Sequence, residues 1–128
     1  MIKHLATLIV LLLITGCSVL ETKGPLIGEY KSTASSATLR FDNGRISGSD
    51  GCNRYGSTYT ASGDSLIISD KMMSTEMACE EERMKTADQF RQSLMRIKRY
   101  RSEGKTLTLM SESGEVLGEF IRIEKQQK

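Results

Sequence analysis

Between residues 26 and 123 the chain alternates apolar and polar positions in short runs, each bounded by turn-forming residues. The period of two predicts strands over 26–32, 37–41, 45–49, 55–61 and 65–69, and again over 97–101, 106–110 and 116–123. Asp42-Asn43-Gly44 and Ser62-Gly63-Asp64 join neighbouring runs, and Asn and Gly accept the positive φ of a tight hairpin, so adjacent strands run antiparallel. Leu39 and Phe41 then share one face, as do Tyr55, Ser57 and Tyr59 in the next hairpin. Over 80–95 the period changes to that of a helix, with Met84, Ala87, Phe90, Arg91, Leu94 and Met95 largely on one side. Glu80, Glu81 and Glu82 suit the positive end of its macrodipole, and Arg91 and Arg96 suit the negative end. About eight strands with one inserted helix predict a mainly β fold, an antiparallel sheet that closes into a small barrel and so removes its exposed edges.

The N-terminus follows a different pattern. Lys3 and His4 precede ten residues, 5–14, that form the apolar region of a secretory signal and are too few to span a bilayer, which takes roughly 20. Ile14-Thr15-Gly16-Cys17 resembles the lipobox of bacterial lipoproteins, which implies cleavage after residue 16 and a diacylated Cys17 at the new N-terminus. Ser18, rather than Asp, follows it; by resemblance to the sorting rule of enteric lipoproteins, this directs the protein to the periplasmic leaflet of the outer membrane. The expected organisation is a signal peptide (1–16), a lipidated cysteine and polar linker (17–25), one domain (26–124) and a polar tail (125–128). The partner implied first is the membrane, held through the acyl chains.

Removal of residues 1–16 takes one Lys and no acid, leaving 17 basic and 16 acidic residues, a charge that predicts no attraction to nucleic acid. It also removes His4, the only histidine, and with it the imidazole on which most general-base and zinc chemistry depends. No cofactor or metal site is expected. With Cys17 lipidated, Cys52 and Cys79 remain as an even pair in an oxidising compartment and are read as a disulfide. Such a bridge would contribute about 3.6 kcal/mol by loop entropy, and the 27-position spacing argues against a redox pair of the Cys-x-x-Cys type.

Three blocks then carry a family resemblance. Gly51-Cys-Asn-Arg-Tyr55, Met72-Met-Ser-Thr-Glu-Met-Ala-Cys79 and Leu107-Thr-Leu109, with the helix between the last two, resemble the META domain of HslJ-like proteins over 26–123. The resemblance implies a lipocalin-like barrel with a packed helix, and associates the chain with heat shock and envelope stress. Tyr30 departs from it, standing where many members carry Trp, and Glu80 stands where Pro often follows the cysteine.

Candidate chemistry is sparse. Asp50-Gly-Cys-Asn-Arg-Tyr55 concentrates polar groups at a strand end that could hold a peptide or glycan, yet each group has a ready structural use, and the structural reading is favoured. Met72, Met73 and Met77 beside Cys79 have copper(I)-type softness, but a disulfide removes the thiolate; Met73 and Met77 are expected over the barrel mouth as filler. Arg91, Arg96, Lys98, Arg99 and Arg101 put five cations in eleven residues without an acid, the best lead for an anionic ligand. Alternation is expected to put Lys98 with Tyr100 on one strand face, and Arg99 with Arg101 on the other. The function expected is that of a non-enzymatic envelope lipoprotein, a monomer that binds an envelope protein or glycan or protects under stress. The alternative is a lysozyme-inhibitor-like lipoprotein; an enzyme resting on Asp50 and Asp64 alone is disfavoured.

Overall fold

The computed structural model describes residues 25–124; the signal peptide, Cys17, the linker before Pro25 and the tail lie outside the described residues. The elements in order are β1 (Gly28–Ser32), β2 (Thr38–Asp42), β3 (Arg45–Ser49), β4 (Arg54–Ser62), β5 (Ser65–Ile68), β6 (Met73–Ser74), α1 (Glu81–Arg96), β7 (Arg99–Glu103), β8 (Thr106–Met110) and β9 (Val116–Arg122). Asn43 and Gly44, at φ 50 and 82, form the β2–β3 turn with the positive-φ pair that matches strand twist.

Every pairing is antiparallel. β1 to β5 pair in succession, β5 pairs β7, β7 to β9 continue the meander, and β9 returns to β1. Eight strands therefore close as an up-and-down barrel, as the alternation and the family resemblance led one to expect. β4 is long because it serves two neighbours: Arg54–Thr58 lies along β3 and Tyr59–Ser62 along β5. The two-residue β6 was not foreseen; it pairs with β4 at Tyr55 and Gly56, outside the ring, and is too short to show a period.

An eight-strand barrel is just wide enough for side chains to fill. Leu39, Phe41, Ile46, Leu66, Leu107 and Leu109 fill it here, each at most 1% exposed, so the interior is a packed core rather than a carrier cavity. Tyr30 is buried with its ring edge-on to Phe41, 6.2 Å between centroids, and takes the space that the family often gives to Trp. At the end where the chain enters, Leu26 is buried and its carbonyl accepts a 2.6 Å hydrogen bond from the Tyr59 hydroxyl. At the opposite end α1 contributes Ala87 and Leu94, and Ile97 follows, to the same core.

Three sequence expectations are corrected. Met73 and Met77 are 79% and 60% exposed rather than filling the barrel mouth, because Phe90, Leu94 and Ile97 already occupy that end. Met84 is likewise exposed, as is all of α1 before Ala87, where burial of the helix begins. Lys98 does not share the inward face of Tyr100; it precedes the strand, in the connection from α1, where alternation does not hold, and is exposed.

One glycine is dictated by close approach. A Cβ at Gly48 would stand 2.2 Å from the Thr38 carbonyl oxygen, which accepts a 2.7 Å hydrogen bond from the Tyr55 hydroxyl. Gly48→Ala should push β2 and β3 apart, break that bond and lower stability by about 1–3 kcal/mol. A urea midpoint indistinguishable from wild type would contradict the packing described.

Candidate functional site

Polar chemistry concentrates at the α1 end of the barrel. The turn after β3 is wound around Asp50, whose Oδ1 accepts the amides of Cys52 at 2.9 Å and Asn53 at 2.6 Å. Asn53 bridges to the segment before α1: its Oδ1 accepts from the Met77 amide at 2.6 Å and the Thr75 hydroxyl at 3.0 Å. The Cys52–Cys79 disulfide closes the same gap with a Cα–Cα distance of 6.0 Å. Arg83, in the first turns of α1, donates to the Gly51 carbonyl from Nε at 3.2 Å and Nη2 at 2.7 Å. The Gly-Cys-Asn and Met-Ala-Cys blocks thus meet as one internal staple. Their polar groups are used on each other, which accounts physically for that residue pattern.

Asp50 has a second partner. Its side chain is fully buried, and Oδ2 lies 3.2 Å from Arg91 Nε, at ion-pair distance but out of hydrogen-bond alignment. Arg91 also ion-pairs with Asp88 and reaches the Ser74 hydroxyl on β6 at 3.4 Å. Burial pushes the neighbouring Tyr55 phenol far up, and the Asp50 charge adds to the shift. Burial likewise raises the phenols of Tyr59 and Tyr100. All three stay protonated at neutral pH and do not serve as bases.

The five cations read from the sequence do not converge. Arg91 turns to Asp50, Arg96 pairs with Glu115 at 2.6 Å, and Arg101 pairs with Glu103 on its own strand at 3.3 Å. Lys98 and Arg99 are exposed and, among the described residues, have no acidic partner. The helical period that put Arg91 on the apolar face was the better guide to it than its place in a basic run.

Beside the staple, α1 and β9 enclose a cleft of about 260 Å³. Phe90 and Leu94 from α1 face Leu117 and Phe120 from β9 across it, the Phe90 and Phe120 rings 6.2 Å apart. Several rim hydroxyls have local partners: Ser32 accepts the amides of Ala34 and Ser35, Ser35 accepts that of Ala37, and Ser93 donates to the Gln89 carbonyl. Such a cleft can hold an apolar group. Thr86, Gln89, Phe90, Ser93 and Leu94, at helical spacing, carried the signal for its α1 wall; the β9 wall comes only from tertiary pairing.

The staple yields a direct test. Replacing Cys52 and Cys79 together by Ser should lower stability by about 2–4 kcal/mol, measured by denaturant unfolding under nonreducing conditions. Unchanged stability would mean that the Asp50 and Asn53 hydrogen bonds hold the loop without the bridge.

Comparison with known proteins places this architecture. The META domain family profile matches residues 21–123. The NMR structure of a protein from Burkholderia xenovorans superposes with a TM-score of 0.60 at 19% identity, covering 77% of this chain and 80% of that one. The crystal structure of a duf4847 family protein from Bacteroides vulgatus gives a TM-score of 0.55 at 17% identity over 70% of this chain, which spans only 61% of that protein. At such identities the likeness is one of fold. No protein of curated description matches the chain. The profile runs without interruption from before β1 to the end of β9 and takes in both cysteine blocks: the chain belongs to the META domain family.

Proposed function

We propose that the chain is a non-enzymatic binding module of the bacterial envelope, held to the periplasmic leaflet of the outer membrane by lipid on Cys17. The observation that carries this reading is the polarity of the barrel. Pro25 enters and Glu124 leaves at the same end: the Ile123 amide donates to the Glu29 carbonyl, and Lys105 of the β7–β8 turn pairs with Glu124 at 3.0 Å. The staple, α1 and the apolar cleft stand at the other end.

Eight residues separate Cys17 from the domain's entry point, a reach of at most about 26 Å. A lipid there would hold the entry end toward the leaflet and turn the cleft outward, which is the arrangement a tethered binding module needs. The packed interior supports surface binding over carriage of a ligand inside the barrel.

Cys17→Ser should abolish incorporation of a labelled fatty acid while leaving the barrel folded, since its core is built from residues 26–120. Wild-type protein should fractionate with the outer membrane. Label on the Ser variant, or wild-type protein in the inner membrane, would contradict the anchor or its sorting.

A further inference from the structure

The outer face of β2, β3 and β4 gathers cations that the sequence scatters over fifteen positions. Leu39, Phe41, Ile46 and Tyr55 point inward, so the alternate residues Arg40, Arg45, Ser47 and Arg54 point outward. Register sets them side by side: Arg40 opposite Ser47, Ser47 opposite Gly56, Arg45 opposite Thr58 and Ser49 opposite Arg54. Opposed Cβ atoms lie about 5 Å apart and residues two apart on a strand about 7 Å, so Arg40, Arg45 and Arg54 all reach the surface over Ser47 and Gly56. Gly56 leaves that surface open, and the Arg45 guanidinium leans over it, Nη2 standing 3.7 Å from where a Cβ would be.

A groove of about 320 Å³ opens beside this surface, with Arg40, Ser47, Ser49 and Arg54 on its walls together with Glu29, while Arg45 stands at its edge, over Gly56. Arg40 has Glu29 at 3.7 Å and Asp42 at 3.6 Å, ion pairs too long to use its hydrogen-bond donors. Among the described residues, neither Arg45 nor Arg54 has an acidic partner, and the Ser47 hydroxyl has no hydrogen bond. Like charges this close repel within one Debye length, a cost that a bound oxyanion reverses.

The hydroxyls around the guanidiniums are also open as donors. Thr38 Oγ1 accepts from the Ser49 amide at 2.9 Å and Ser49 Oγ accepts from the Gly51 amide at 3.1 Å, each keeping its own proton for a ligand. The backbone of Arg54 is held on both sides: it pairs with Ser49, and its amide and carbonyl bond to Thr75 at 3.1 and 3.0 Å, next to the disulfide. A pair of guanidinium forks on one sheet face suits a phosphate, and a row of small hydroxyls suits a sugar.

We propose that this face binds a phosphorylated sugar, the phosphate at the edge of the groove between Arg45 and Arg54 over Ser47, and the sugar in the groove along Thr38 and Ser49. The site is separate from the Arg91–Arg101 segment and from the apolar cleft, and it stands whether or not Cys17 carries a lipid.

The test is a calorimetric titration of full-length protein at low salt with glucose 1-phosphate, inorganic phosphate and glucose. Glucose 1-phosphate should bind more tightly than inorganic phosphate, and glucose should not bind. Arg45→Gln with Arg54→Gln should weaken glucose 1-phosphate roughly tenfold or more without moving the melting temperature. Arg54→Lys, which keeps the charge and loses the fork, should also weaken it; Lys98→Gln with Arg99→Gln should bind as wild type. Absence of glucose 1-phosphate binding in wild type, equal binding by the Arg45/Arg54 variant, or a loss that follows Lys98 and Arg99 would overturn the site. Equal affinity for inorganic phosphate and glucose 1-phosphate would overturn its sugar half.

Discussion

Asp50 carries its carboxylate into the interior, Oδ1 accepting the amides of Cys52 and Asn53 and Oδ2 facing the Arg91 guanidinium at ion-pair distance. A buried charge is tolerated only where partners replace water, and removing one partner of such a pair is costly because the other is left uncompensated. One side chain therefore fixes the shape of the β3–β4 turn and the seat of α1 together. Arg83 on the Gly51 carbonyl, Asn53 on Met77 and the disulfide all act across the same gap, and each needs the turn that Asp50 winds. Without that link α1 would rest on Ala87, Phe90, Leu94 and Met95, a narrow apolar stripe for a sixteen-residue helix.

With α1 seated, the two ends of the barrel take different roles. Leu26 and the Tyr59 hydroxyl close the end where the chain enters and leaves, while α1 closes the other. The interior is filled between them, so any recognition belongs to the outside: the cleft under α1, or the arginine-rimmed face of β2–β4. The staple bears on both surfaces. It holds the α1 wall of the cleft, and through Thr75 it holds the backbone of Arg54.

Alternation and turn chemistry made the eight barrel strands and the helix legible in the sequence, because burial on one face forces a period that the residues must show. The bridge between Cys52 and Cys79 was legible too, since only two cysteines remained to pair once Cys17 was set aside. Other features could not be read in the same way. β6 has two residues and no period, and Met73 and Met77 look like core by composition yet stand in solvent. Arg91 belonged to two patterns, a basic run and a helix face, and only the position of Asp50 decides between them. Arg40, Arg45 and Arg54 become neighbours through the register of the β2–β3 and β3–β4 hairpins, and no basic run in the sequence marks them.

The dependence of α1 on Asp50 is open to one direct measurement, residue-resolved amide hydrogen exchange in Asp50→Asn. The substitution keeps an oxygen for the Cys52 and Asn53 amides and removes the charge facing Arg91. If the ion pair seats the helix, amides of α1 will exchange faster than in wild type, while those of the β8–β9 ladder keep their protection. Unchanged exchange in α1, or an equal rise in α1 and in β8–β9, would contradict the account.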